Sequence, residues 1–193
     1  MMKTLVILCA LLFSTSSFAG WDEAIAAFEA GDFKTALREY KVLAEQGVDR
    51  AQFNLASMYR NGQGTTQDYK AAIKWFTKAA EQDIDRAQFS LGSMYHNGQG
   101  TIQDYTAAIK WFTRAAEQGD FRAQYNLGSM YHNGEGTLQD YARAHAWFNM
   151  AASNGDTNAQ NARKLVEGKM TTSDISKAQA LARECVAQDY KGC

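Results

Sequence analysis

Proline is absent from the 193 residues. A proline costs about 3 kcal/mol inside a helix, so its absence fits a chain that is helical over most of its length. Cysteine is scarce, with three residues: Cys9, Cys185 and Cys193. None of them has Cys-x-x-Cys spacing, which argues against a redox motif. No histidine stands near the C-terminal pair, which argues against a zinc site. Long apolar runs are lacking too. The run Thr4 to Phe13 is about ten residues, short of the roughly 20 that a bilayer span needs. Nothing after Gly20 resembles a span. Neither sign of charge dominates, since 20 Lys and Arg face 21 Asp and Glu. A basic excess of the kind nucleic-acid binders show is missing, as is a polybasic tail for a membrane surface.

Met1-Met2-Lys3 is a short basic start, the apolar run follows, and Ser14 to Ala19 is small and polar apart from Phe18. Ser17 and Ala19 stand at −3 and −1 of a cut before Gly20. This is the pattern of a secretory signal peptide over residues 1–19. Leu8 precedes Cys9 where lipid attachment needs a small residue, so a lipoprotein is not expected. The expectation is an exported protein, periplasmic or secreted. Loss of Lys3 leaves 19 basic against the same 21 acidic residues, a net charge of −2. Cys9 leaves as well. Cys185 and Cys193, an even pair in an oxidising compartment, are expected to form a disulfide that closes the C-terminal tail.

What is present in abundance is repetition. Asn61-Gly62-Gln63-Gly64 recurs as Asn97-Gly98-Gln99-Gly100 and as Asn133-Gly134-Glu135-Gly136, a period of 36 residues. Trp75-Phe76, Trp111-Phe112 and Trp147-Phe148 keep that period. So do Leu55, Leu91 and Leu127, and Asp68-Tyr69, Asp104-Tyr105 and Asp140-Tyr141. Each unit reads as two helices. The first runs roughly from Arg50 to Arg60, with Ala51, Leu55, Met58 and Tyr59 at helical spacing. Asp49 with Gln52, Asp85 with Gln88, and Thr157 with Gln160 have capping-box spacing, and Phe121 breaks that pattern in the third unit. Gly62, Gly98 and Gly134 supply the left-handed residue that ends the helix, and the second glycine of each pair gives the loop its second turn. Asp68, Asp104 and Asp140 read as N-caps of the second helix. That helix runs roughly from Asp68 to Gln82, with Ala72, Trp75, Phe76, Ala79 and Ala80 as its buried stripe. Trp75, Trp111 and Trp147 are expected to be largely buried. A shorter helix pair precedes the repeats, Trp21 to Ala30 and then Ala36, Leu37, Tyr40 and Ala44. After Asp156 the pattern decays into a more polar cap, with a final helix at about Ser173 to Ala187.

The string Ala-x-x-x-Leu-Gly-x-x-Tyr-x-x-Gly-x-Gly-x-x-x-Asp-x-x-x-Ala-x-x-Trp-Phe-x-x-Ala-Ala-x-x-Gly resembles the Sel1-like repeat. Ala87 to Gly119 and Ala123 to Gly155 meet it almost completely. In the Ala51 unit Ala56 and Asp83 replace two of its glycines. The N-terminal pair is similar to a tetratricopeptide repeat. The resemblance implies an all-α fold, a right-handed α-solenoid of stacked antiparallel helix pairs with a concave inner face. The expected organisation is a tetratricopeptide-like pair over 20–48, repeats over 49–84, 85–120 and 121–156, and capping helices over 157–193.

By analogy with such stacks, the groove-lining positions are Arg50, Phe53, Ser57 and Arg60; Arg86, Phe89, Ser93 and His96; and Arg122, Tyr125, Ser129 and His132. Aromatic and Arg residues carry much of the binding energy at interfaces, and Arg can hold a carboxylate through two parallel hydrogen bonds. A protein or peptide partner with acidic side chains, or with a free C-terminal carboxylate, suits this set. Packing and solvation account for the same residues equally well. Phe53, Phe89 and Tyr125 can equally pack against the preceding pair's second helix. Arg50, Arg86 and Arg122 can equally be solvated or pair with Asp49, Asp85 and Asp120. His96, His132 and His145 read as surface or packing residues rather than ligands.

The residues of an enzyme are missing. There is no nucleophile elbow and no His-Glu-x-x-His, and no Lys-Ser or Lys-Thr follows the glycine loops to make a phosphate loop. The carboxylates lie at repeat spacing, whereas catalysis needs distinct groups converging on one point. No catalytic residue, metal or cofactor is expected. The cysteine-rich branch of the resembled family is linked to β-lactam binding or hydrolysis, but its helix pairs carry disulfides that these repeats lack. The resemblance therefore implies a periplasmic adaptor or regulator, or else an immunity protein that inhibits a secreted effector enzyme.

Overall fold

The computed structural model describes residues 20–188 and 190. The leader reading falls on residues 1–19 and lies outside them, as does Cys193. The described residues are helical, with no strand among them. They fall into two compact units that part between Ile84 and Asp85. No helix among them is long and apolar enough to cross a membrane.

The first unit holds four helices: α1 over residues 20–29, α2 (Phe33–Glu45), α3 (Asp49–Asn61) and α4 (Tyr69–Glu81). Trp21 meets the ring of Tyr40 edge-on at 5.8 Å and Phe28 meets Phe33 at 5.3 Å, so aromatic pairs hold α1 to α2. Asp32 caps α2 by accepting from the Thr35 N–H. The Gly62–Gly64 loop returns the chain for α4. Gly62 ends α3 at φ 69°, a conformation that costs other residues roughly 1–2 kcal/mol. Gly64 is excluded from side chains by space as well, because a Cβ there would stand 2.2 Å from the Phe33 carbonyl oxygen.

The second unit holds α5 (Asp85–Asn97), α6 (Tyr105–Glu117), α7 (Phe121–Asn133), α8 (Tyr141–Ser153), α9 (Thr157–Glu167) and α10 (Thr172–Ala187). Helices α5 with α6 and α7 with α8 form hairpins, α6 packs on α7, and α9 and α10 both pack on α8. The predicted stripe is the core. Ala108, Trp111, Phe112, Ala115 and Ala116 of α6 are all buried, as are their counterparts Ala72, Trp75, Phe76, Ala79 and Ala80 in α4. Small residues let the helices approach: a Cβ on Gly92 would lie 2.6 Å from the Phe112 ring, and one on Gly128 2.7 Å from Phe148.

Asp68, Asp104 and Asp140 cap as expected, each accepting a backbone N–H at 2.9 Å. The capping boxes are a different matter. Asp49 is the first residue of α3, and Val48 before it makes no side-chain cap. Gln52 turns inward instead. Its amide donates to the Ala44 carbonyl at 3.3 Å and accepts from Gln82 at 2.9 Å. Gln124 does the same with Ala116 and Asn154. These buried glutamines add a second donor to carbonyls at the end of the preceding helix, which already accept from the Gly47 and Gly119 N–H groups. The third repeat, expected to lack a cap, has one in Asp120, which accepts from the Arg122 and Ala123 N–H groups. Likewise Asp156, not Thr157, caps α9.

The three repeat tryptophans are buried, at 8% exposure for Trp75, 9% for Trp111 and 2% for Trp147. Cations shield the first two: Lys78 stands 4.7 Å over Trp75 and Arg114 5.4 Å over Trp111. In α8 the same repeat position is Met150, and α10 covers it. Leu181, Cys185 and Tyr190 pack there with Trp147 and Met150.

Candidate functional site on the first helices

In the first unit the predicted positions lie along α3. Arg50 is exposed at its start, while Phe53, Ser57 and Arg60 are half-buried. The Phe53 ring rests on Phe76 of α4, 5.6 Å between centroids. Arg60 lays its guanidinium 5.5 Å over the same Phe76 ring. Burial pulls the Arg60 pKa down, since a cation withdrawn from water favours its neutral form. Among the described residues Arg60 has no ion-pair partner. Phe53 and Ser57 also bound an open cup of about 290 Å³ with Phe28, Tyr40 and Asn54. The Tyr40 hydroxyl is hydrogen-bonded to Asn54, and burial raises its pKa.

In the second unit the positions lie along α5 and α7. Arg86 is exposed, Phe89 and Ser93 half-buried. Phe89 rests on Phe112 at 5.8 Å, and Tyr125 on Phe148 at 5.5 Å. These rings therefore rest on a phenylalanine of their own helix pair, while Phe53 also borders the cup with Tyr40 of the preceding pair's second helix. Each keeps part of its surface in solvent. Arg122 stands 4.3 Å over the Phe89 ring. Its fork is occupied by Asp120, which accepts from Nε at 3.1 Å and from the Nη2 amine. That carboxylate raises the Arg122 pKa and answers the anion-binding capacity expected of Arg122. Arg50 and Arg86 make no such pair among the described residues.

The histidines are engaged in packing. His96 Nε2 stands 2.9 Å from Glu135 Oε2, and its ring meets Tyr105 at 5.2 Å. His132 packs on Tyr141 at 5.5 Å beside the half-buried Ser129. His145 is 1% exposed with Nε2 at 2.9 Å from Glu167 Oε1. Sequence reasoning missed the cup walls Phe28, Tyr40 and Asn54. It also missed Glu135, whose signal was present: it is the acidic departure from Gln63 and Gln99 in the loop motif.

Comparison with known proteins agrees with the geometry. The Sel1 repeat model matches residues 49–84, 85–120 and 121–156. The chain belongs to the Sel1 repeat family, whose repeats generally mediate protein–protein interaction. Among solved structures it is similar to a Sel1 repeat protein from Oxalobacter formigenes, at 32% identity and a TM-score of 0.69 over 74% of this chain. It is also similar to c5321, a protective antigen of uropathogenic Escherichia coli strains with the same repeat fold, at 28% identity and a TM-score of 0.61 over 93% of this chain. The matches cover 58% and 49% of those two chains. A search of curated proteins finds no match.

Proposed function

We propose that this chain is an exported, non-enzymatic repeat protein that binds a partner protein or peptide through the faces of its first helices. The carrying observation is that Phe53, Phe89 and Tyr125 recur at one repeat position, each half-buried on its own pair's phenylalanine and half-presented to solvent. Rigid, partly presented aromatics are effective anchors for a partner. The exposed guanidinium groups of Arg50 and Arg86 supply cations that would favour acidic segments. The leader-like residues 1–19 support export, and so does the likeness to a protein described as a protective antigen. A Cys185–Cys193 disulfide fits the same compartment, with Cys185 already held in the core of the second unit.

The test is affinity capture from envelope and culture extracts, read by mass spectrometry. The wild-type chain is run beside a Phe53, Phe89, Tyr125→Ala variant whose helicity is confirmed by circular dichroism. A partner held by wild type and lost from the variant is expected. A partner held equally by both would remove these faces from the function. Mass spectrometry of the exported chain should give a start at Gly20, and thiol titration of the denatured chain should give no free thiol.

A further inference from the structure

The cup beside α3 and the half-buried Arg60 occur together in the first unit, and their chemistry is complementary to one kind of ligand. The cup is walled by three aromatic rings, Phe28, Tyr40 and Phe53, with the Asn54 amide and the Ser57 hydroxyl at its edge. Its volume of about 290 Å³ suits a single aromatic side chain. Arg60 follows Ser57 by one helical turn, and its guanidinium and the Phe53 ring rest on the same Phe76 ring. A cation withdrawn from water without an ion pair is costly. Stacking on Phe76 recovers part of that cost, and a carboxylate bound through two parallel hydrogen bonds would recover more. The repeat position of Arg60 is His96 in α5, where Glu135 already supplies the anion, and His132 in α7.

We infer that this cup takes an aromatic side chain of a partner peptide while Arg60 holds the carboxylate of a neighbouring Asp or Glu side chain. The inference rests on the partner-binding reading above and names the element recognised. Elsewhere in that reading the aromatic faces contribute complementarity; here a cavity and an unpaired cation impose a motif.

The probes are indole-3-propionate and its amide, titrated against the isotope-labelled chain and followed by nuclear magnetic resonance. The acid should perturb the amide signals of Phe28, Phe53, Asn54, Ser57 and Arg60, with Kd in about the millimolar range expected for so small a ligand. The amide should bind roughly tenfold more weakly, because it cannot form the charged pair. Arg60→Gln should abolish that difference while leaving indole binding. Ser57→Leu, which fills the cup, should abolish binding of both probes. Equal affinity of acid and amide in the wild-type chain, or shifts confined to other residues, would overturn the inference. The carboxylate source is separated by two further probes. Acetyl-Trp-Glu-amide should bind more tightly than acetyl-tryptophan with its free carboxylate, and the reverse order would overturn the side-chain assignment. Should the probes fail while captured partners still depend on Phe53, Phe89 and Tyr125, the cup is refuted and the partner-binding reading survives.

Discussion

Met150→Lys is the substitution that most directly tests how the second unit ends. Repeat register makes Met150 the counterpart of Lys78 and Arg114, which sit in solvent over Trp75 and Trp111. Met150 itself is 1% exposed, and its neighbour Ala146, the counterpart of Lys74 and Lys110, is 2% exposed. The covering element is α10. Replacing Met150 removes about 1.5–3 kcal/mol of buried apolar side chain. Keeping a lysine there would also require a buried amine to lose its proton, a shift of up to about 3–5 pKa units at 1.36 kcal/mol each. A cheaper route is open. If α10 lifts away, the lysine can stack on Trp147 in water, as Lys78 does on Trp75. The cost is therefore capped by the docking of α10, whose buried contribution is small: Ala178, Ala182 and Cys185. The expected outcome is loss of about 3–5 kcal/mol in equilibrium denaturation, with release of α10 preceding the main transition. Trypsin should then cut at Lys177 and Arg183 under native conditions, while volume-conserving Met150→Leu stays resistant and costs less than about 1.5 kcal/mol. A Met150→Lys chain that melts like wild type and resists trypsin would refute this account of the cap.

Other consequences follow from single contacts. Trp111→Ala should destabilise by roughly 3–5 kcal/mol in a urea titration, because the ring fills the space that its alanine neighbours leave. Gln124→Leu should cost about 0.5–1.5 kcal/mol by the same measurement, since it removes the buried hydrogen bond to the Ala116 carbonyl, which keeps only its bond from the Gly119 N–H. Gly155→Ala should cost about 1 kcal/mol. The space around Gly155 is open, so this comes from its φ of 89° alone. The Asp32 carboxyl is held below its ordinary pKa by its hydrogen bonds to Thr35. A depressed carboxyl contributes stability above its unfolded pKa and loses it as pH falls through the folded one. The difference in melting temperature between wild type and Asp32→Ala should therefore shrink on acidification below about pH 4.

Much of the local structure was legible because it is written in short-range chemistry. Gly62 and Gly134 end their helices, Asp68, Asp104 and Asp140 start theirs, and the Ala-Trp-Phe stripe is the core. Each needs only its own neighbours along the chain. The errors arose where a side chain had two partners to choose from. Gln52 and Gln124 carry capping-box spacing, yet they turn to carbonyls at the end of the preceding helix. Spacing along one helix cannot show a carbonyl within reach on another. Arg122 belongs to the same repeat position as Arg50 and Arg86. Its pairing follows from Asp120, which stands where the other repeats have Val48 and Ile84.

The sequence by itself determined the 36-residue period, the all-helical class and the family, because these are properties of spacing and residue type. It also held a signal for the cap: the cations at Lys74, Lys78, Lys110 and Arg114 give way to Ala146 and Met150, which predicts a covered face. Which helix covers it was decided only in the tertiary structure. So was the cup of Phe28, Tyr40, Phe53, Asn54 and Ser57, assembled from three consecutive helices. A cavity is the space left over when neighbouring helices have packed, and no local pattern of residues encodes its volume.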